Sequence, residues 1–167
     1  GAYEVEDCHD LSLWYVSTSG TYDNGDGTEF NPFASIQMGI SYAKDGDTVL
    51  VMPGLYTENI NYNDNQIVIS SLFILEPDNS FIEETIIDGD NLETVVTMNG
   101  LDSTAMLIGF TIQNGNSTVG GGINISNSSS SKLLNLIIAD NLADNGGGIY
   151  ISNSSNPIMR NITITAN

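Results

Sequence analysis

The chain has 167 residues, of which 40% are hydrophobic, enough for one domain with a sizeable core. Acids outnumber bases by 21 to 3, and the net charge of -18 argues against nucleic acid and anionic membranes as partners. The single cysteine, Cys8, excludes a disulfide within the chain, and no apolar run is long enough to span a bilayer.

The acidic residues are concentrated in the N-terminal part. All but Asp140 and Asp144 lie between Glu4 and Asp102, and the remainder of the chain is nearly neutral and rich in Asn and Ser. A surface so poor in lysine suits an extracellular or cell-surface protein better than a cytosolic enzyme.

The first predicted element is a helix at about residues 32–44. Apolar residues recur there at helical spacing: Phe33, Ile36, Ile40 and Ala43. Pro32 suits the first turn, and Lys44 followed by Gly46 fits a helix end. Because a stack of strands exposes unpaired edges at its ends, we interpret this helix as a cap. A buried strand is predicted next, at residues 47–52.

A repeat of 26 residues dominates the second half of the chain. It carries Ile112 onto Ile138 and then onto Ile164, and it carries residues 120–127 onto 146–153, with Gly-Gly-Gly-Ile at the start of each. The same step places Leu107 before Leu133. Taken further back, it places Ile86 before Ile112 and Ile60 before Ile86.

Within each repeat, apolar residues alternate over short runs separated by Gly, Asn and Ser, which is typical of short half-buried strands. A leucine-rich repeat pattern is absent, and propeller blades need longer units. The sequence therefore predicts an all-β protein, a right-handed single-stranded parallel β-helix of about 26 residues per coil with a short N-terminal capping helix. We expect one domain over residues 1–167, with an extension and cap at 1–46 and coils at 47–167, and we expect it to be the N-terminal part of a longer protein.

Four segments together resemble the opening of the pectate-lyase-like β-helix superfamily: residues 15–17, 31–37, 46–49 and 53–60. Residues 85–89 resemble the next recurring element of that group. The resemblance covers residues 14–167 and implies the fold, whereas enzymes, adhesins and surface proteins all share this opening. The Gly-Gly-Gly-Ile and Ile-x-x-Asn elements are also similar to repeats of polymorphic outer membrane proteins.

A lyase of this superfamily implies a cationic base beside calcium held by several carboxylates. Lys132 and Arg160 fall near equivalent points of successive repeats and are candidate carbohydrate contacts, but no acids flank them in the repeat. A pectin methylesterase implies two aspartates, an arginine and glutamines on the strands, and this pattern is missing because Asp140 and Asp144 fall next to turn residues. The lone His9 lies outside the repeat.

Calcium is the one cofactor the sequence leaves open. Asp23, Asp26 and Glu29 bring oxygen ligands into a Gly-rich loop, and Asp88 and Asp90 form a second candidate site. The same residue types also simply make turns.

Asparagines recur at the repeat spacing and predict stacked hydrogen-bonded ladders: Asn127 with Asn153, and Asn135 with Asn161. Glycosylation sequons occur at five asparagines: Asn116, Asn124, Asn127, Asn153 and Asn161.

These regular repeats favour a noncatalytic extracellular or cell-surface module, structural or adhesive, such as a stalk, surface-layer or filament component. The expected partners are a polysaccharide or another surface protein, and self-association is compatible with the pattern. The alternative is the N-terminal part of a carbohydrate-active enzyme, such as a polysaccharide lyase, whose active site lies mostly beyond residue 167. A third hypothesis, flat-face recognition of sugar or ice, rests on Thr163 and Thr165, but Ile137 and Ala139 break the row.

Overall fold

The computed structural model describes residues 12–167, and there the chain is mostly β-strand, with every pair of strands parallel. The elements of the first half are, in order, β1 (Leu13–Thr21), α1 (Ile36–Tyr42), β2 (Thr48–Val51), β3 (Gly54–Thr57), β4 (Ile60–Asn61), β5 (Val68–Ser71), a 3-10 turn (Leu72–Ile74), α2 (Ser80–Glu84) and β6 (Thr85–Asp88). Those of the second half are β7 (Val96–Asn99), β8 (Met106–Ile108), β9 (Thr111–Gln113), β10 (Asn116–Val119), β11 (Ile123–Ser126), β12 (Lys132–Ala139), β13 (Leu142–Asn145), β14 (Ile149–Ile151) and β15 (Ile158–Thr165).

The strands form three parallel sheets. The largest has the order β1-β2-β5-β8-β12-β9-β6-β3, with β15 also paired to β12; the second has the order β14-β11-β7-β4; the third contains β10 and β13. The two long strands, β12 and β15, each contain a bend, because Asn135 and Asn161 adopt left-handed conformations with φ of 55° and 54°. The first half of β12 pairs with β8 and its second half with β9.

The 26-residue register predicted for the second half of the chain is confirmed. Ile138 pairs with Ile112 on one side and Ile164 on the other, and Leu133 pairs with Leu107. Ile112 and Ile138 are fully buried in the core. Neighbouring strands are about 4.8 Å apart, so equivalent side chains of successive repeats contact one another.

Ile164 has the orientation that the repeat predicts, but its side chain is partly exposed. Its side chain faces the same way as that of Ile138, since an added Cβ on Gly148 would lie 2.9 Å from its Cγ2, as one on Gly122 would from Cγ2 of Ile138. Ile164 is nevertheless 54% exposed, because among the described strands only β12 pairs with β15.

Toward the N-terminus the predicted register holds for one step and then fails. Ile86 pairs with Thr111, one residue from the predicted Ile112. Its other partner is Leu55 rather than Ile60, and Ile60 pairs with Val96 in another sheet. The irregularity arises because residues 72–84 leave the strands to form the 3-10 turn and α2, which lengthens one passage between β5 and β6.

The N-terminal helix is shorter than predicted. It begins at Ile36 rather than at Pro32, because Ser35 is its N-cap and accepts a 3.1 Å hydrogen bond from the Met38 N–H through its side chain. Phe33, Ile36 and Ile40 are fully buried, as expected of a cap. The helix lies close to β1 and β2, since a Cβ on Gly39 would meet Val49 at 2.8 Å and Val16 at 3.1 Å.

A second cover lies on the outer face of the largest sheet. There Ser70 and Ile108, which alternate with the core residues Ile69 and Leu107, are buried outside the main core. The insertion reaches this face: Thr111 Oγ1 donates a 2.8 Å hydrogen bond to the Ile82 carbonyl, and Phe73 packs against Gly109. This cover ends before the outer faces of β12 and β15 do. The groove described next lies at that boundary.

Candidate functional site

A groove of about 450 Å³ lies between α2 and the bends of β12 and β15. One wall is formed by α2 and the residue before it, and the floor by the two bends; the lining residues are Asn79, Ile82, Glu83, Asn135, Leu136, Ile137, Asn161, Ile162 and Thr163. The groove exists because the left-handed bends turn the strands just where the short insertion stops covering the sheet.

The floor of the groove is a hydrogen-bonded asparagine pair. Asn161 Nδ2 donates to Asn135 Oδ1 at 2.9 Å, which confirms the ladder predicted from the repeat. Since both residues adopt the left-handed conformation, their side chains project at the bend rather than into the core. The groove thus presents amides, the Thr163 hydroxyl and the Glu83 carboxylate, groups suited to hydrogen-bonding a polar ligand.

The two predicted carbohydrate contacts lie on the strands that form the groove floor but do not line the groove. Lys132 pairs with Ile158 and Leu134 pairs with Arg160, so the cations are offset by two residues along neighbouring strands. Both alternate with the buried residue Leu133 or its partner Met159, which places them on the outer face of the sheet. Arg160 is exposed and directly precedes Asn161 on the groove floor.

The predicted ladder of Asn127 and Asn153 is also confirmed, and it is longer than expected. Asn153 Nδ2 donates to Asn127 Oδ1 at 3.2 Å, and Asn127 Nδ2 donates in turn to Asn99 Oδ1 at 2.5 Å. Asn99 also accepts from the Ser126 hydroxyl at 3.1 Å. These polar side chains at the surface bond to one another from one repeat to the next.

A third ladder, of Asn141 and Asn167, was not predicted. Asn141 is only 2% exposed, and its Oδ1 accepts a 2.8 Å hydrogen bond from the Gly115 N–H. Its Nδ2 donates to the carbonyls of Ile112 and Ala139 and to Asn167 Oδ1. The sequence does hold a signal for this pair, because Asn141 and Asn167 are identical residues one repeat apart.

The first candidate calcium loop contains a closed turn. Asp26 Oδ1 accepts hydrogen bonds from the Thr28 N–H at 3.0 Å and the Thr28 hydroxyl at 2.7 Å, and these bonds lower the pKa of Asp26. The structure brings neither Asp23 nor Glu29 into a metal-binding group with it.

At the second candidate site, Asp88 binds amides. Its Oδ2 accepts 2.8 Å bonds from Gln113 and Asn114, and its Oδ1 accepts from the Asp90 N–H at 2.9 Å. Partial burial raises the pKa of Asp88, but these hydrogen bonds outweigh it and the pKa is lowered overall. Nowhere in residues 12–167 do three acidic, His or Cys side chains gather in a way that could hold a metal.

Some residues considered in the sequence analysis lie outside the described range. These are Cys8, His9 and the beginning of the predicted N-terminal extension. Between residues 12 and 167, no helix has the length and apolar character needed to cross a membrane.

Comparison with known proteins does not assign the chain to a family. No family model matches the chain, and no curated protein matches it. Function is therefore inferred from the geometry of the sheets, the ladders and the groove.

Proposed function

We propose that the chain is a noncatalytic structural or adhesive module of the extracellular space or cell surface, built as a right-handed parallel β-helix. In this proposal residues 1–167 form one domain, the three sheets are the faces of the β-helix, residues 47–167 are its coils and α1 caps one end. Connections between parallel strands are right-handed in nearly all proteins, which supports the handedness.

The observation that carries the proposal is that polar side chains of successive repeats bond to one another. The ladders of Asn99, Asn127 and Asn153, of Asn135 and Asn161, and of Asn141 and Asn167 use side-chain amides for cohesion along the stack. A hydrogen bond of this kind contributes about 1 kcal/mol, so their sum favours a mechanically coherent rod. The low content of Lys and Arg and the charge of -18 support an exterior location.

Catalysis would require a different arrangement. Elimination or ester hydrolysis in a polyuronate needs a base poised against a neutralised carboxylate. Arg160 could fill one of these roles, but Lys132 is displaced along the strand, and Glu83 is the single acid among the described residues that line the groove.

The experiment is an assay of the purified chain on pectin and alginate, with and without calcium, following the ultraviolet absorbance of unsaturated products. We expect no product. Unsaturated product that is lost on Arg160→Ala but retained in Lys44→Ala, a change to an exposed cation near the cap, would contradict the noncatalytic proposal.

The groove supports a second candidate function, contact with an acidic polysaccharide as the front part of a carbohydrate-active enzyme. Its amide floor and the Thr163 hydroxyl, with the outward-facing cations Lys132 and Arg160 on the same two strands, form a surface that a uronate chain could bind. Calorimetric titration with an oligouronate would test this function. Weak binding that Arg160→Gln abolishes and Lys44→Gln leaves unchanged would support the second candidate, whereas no binding would favour the scaffold alone.

A further inference from the structure

The five glycosylation sequons of the chain differ in how the fold uses them. An N-linked glycan is bulky and needs an asparagine amide that projects freely into solvent. The sequon also includes a Ser or Thr two residues later, and in a strand these two side chains lie on the same face. The five sites can therefore be compared by the exposure and bonding of both side chains.

Three sequon asparagines are engaged in the ladders. The Nδ2 atoms of Asn127, Asn153 and Asn161, to which a glycan would attach, each donate to the asparagine one repeat earlier. A sugar on any of them would be attached to the same nitrogen that makes the ladder hydrogen bond.

The hydroxyl partners of two of these sequons are also occupied. Ser129, which completes the sequon of Asn127, is fully buried. Ser155, which completes that of Asn153, accepts a 3.1 Å hydrogen bond from the Ser129 N–H.

Asn124 is the fourth sequon and lies within the four-stranded sheet. It pairs with Thr97 on one side and Tyr150 on the other, and its Oδ1 is buried. A Cβ on Gly120 would lie 3.0 Å from its Cβ, so backbone crowds the base of this side chain. The Asn124 side chain is thus partly buried within its sheet, and the Ser126 hydroxyl of its sequon donates to Asn99.

Asn116 differs from the three ladder asparagines in bonding rather than in exposure, since all four side chains are exposed. It begins β10, which pairs only with β13 within the described sheets, and the Asn116 side chain is exposed. Thr118, two residues later, is exposed on the same face, and Leu142, the residue paired with Asn116, is 64% exposed. The described hydrogen bonds involve the Asn116 backbone N–H, which donates to the Glu93 carbonyl at 3.0 Å, and leave its side-chain amide to solvent.

We propose that Asn116 is the site at which this chain carries an N-linked glycan. The inference rests on the extracellular location proposed above. In the reaction, Asn116 Nδ2 forms a bond to C1 of a sugar supplied as a polyprenyl-diphosphate oligosaccharide. The C1–O bond breaks, the diphosphate leaves with the electron pair, and the amide gives up one proton.

The timing of modification does not change the outcome for the folded protein. A glycan added to Asn127, Asn153 or Asn161 before folding would compete with a ladder hydrogen bond and lower the stability of the folded chain. A glycan on Asn116 leaves every ladder intact. The secreted, folded fraction is therefore enriched in chains modified at Asn116 alone.

The test is expression of the chain behind a cleavable signal in a eukaryotic secretory host. Glycans are released enzymatically in heavy-oxygen water, and peptides of the secreted and retained fractions are analysed by mass spectrometry. We expect secreted chains with one glycan at Asn116, loss of that glycan in Thr118→Ala with an unchanged melting temperature, and its retention in Thr118→Ser. The matched control Thr163→Ala removes the Asn161 sequon and leaves the secreted mass changed only by the substitution.

Two outcomes would overturn the inference: secreted, folded chains with an unmodified Asn116, or with glycans at ladder asparagines. The proposed function fails separately, because polyuronate cleavage by the secreted protein would remove the scaffold role whether or not Asn116 is modified.

Discussion

At the scale of single residues, an asparagine contributes differently to the stack of repeats at the surface and in the interior. Asn153 bonds to Asn127 through one exposed contact, whereas Asn141 holds one backbone N–H, two carbonyls and Asn167 from a buried position. A buried polar group left without its partner costs far more than an exposed one.

We therefore predict that Asn141→Ala lowers the free energy of unfolding by about 2–4 kcal/mol, since it leaves the Gly115 N–H and two carbonyls without their partner. Asn153→Ala, the matched control, should cost less than about 1 kcal/mol. Equilibrium denaturation by urea measures both. Equal losses in the two variants would show that the interior ladder has no special role.

At the scale of elements, α1 is held in place by its shape as much as by hydrogen bonds. Gly39 lies in the middle of α1, where glycine costs about 1 kcal/mol relative to alanine in an exposed helix. Here its absent side chain lets the helix approach Val49 and Val16, whose branched side chains have little freedom to move.

Gly39→Ala should therefore destabilise the protein by about 1–3 kcal/mol, although helix propensity alone favours it. The control is Ser41→Ala on the exposed side of the same helix, which should be neutral within about 0.5 kcal/mol. Thermal and urea unfolding would check the sign. A stabilised Gly39→Ala variant would mean that α1 does not pack tightly on β1 and β2.

The beginning of α1 predicts a pH dependence. The Glu58 carboxylate accepts hydrogen bonds from the N–H groups of Ile36 at 2.8 Å and Gln37 at 2.9 Å. Burial raises the pKa of Glu58, these two bonds lower it, and burial has the larger effect. Because the folded-state pKa is raised, the contribution of Glu58 is full below its pKa in the unfolded chain and is lost as the pH rises through the folded value.

Stability of the wild type relative to Glu58→Gln should consequently decrease as the pH rises from about 4 to 7, since glutamine does not titrate. Denaturation of both proteins across this range gives the difference directly. If the wild type instead became more stable relative to Glu58→Gln as the pH rose, the charged carboxylate would stabilise the helix N-terminus more than its burial disfavours it.

At the scale of the whole molecule, the sequence predicts the fold best where the repeat is regular. Ile112, Ile138 and Ile164 are paired as their spacing requires, because identical steps leave one register that stacks like residues. Ile86 and Ile60 follow other registers, since the insertion at residues 72–84 has no counterpart in the other repeats and its short helix has no strong apolar period.

The candidate site could be predicted only in part. Lys132, Arg160 and the pair of Asn135 and Asn161 are visible as features of the repeat. The wall of the groove was not foreseen, because Asn79 and Glu83 reach it only through the packing of α2 against the outer face of the sheet. Tertiary packing of this kind leaves no local pattern in the sequence.

The register of β12 on β15 is the central claim, and disulfide trapping tests it most directly. In a Cys8→Ser background, cysteines at Ile137 and Thr163 would occupy directly paired positions about 4.8 Å apart, within the range a disulfide spans. Cysteines at Ile137 and Thr165 would be two residues out of register and about 8 Å apart, beyond that range. Mild oxidation followed by nonreducing electrophoresis and peptide mass spectrometry should show the 137–163 bond in high yield and little of the 137–165 bond. Equal yields, or a preference for the 137–165 pair, would contradict the 26-residue stacking on which the proposed scaffold depends.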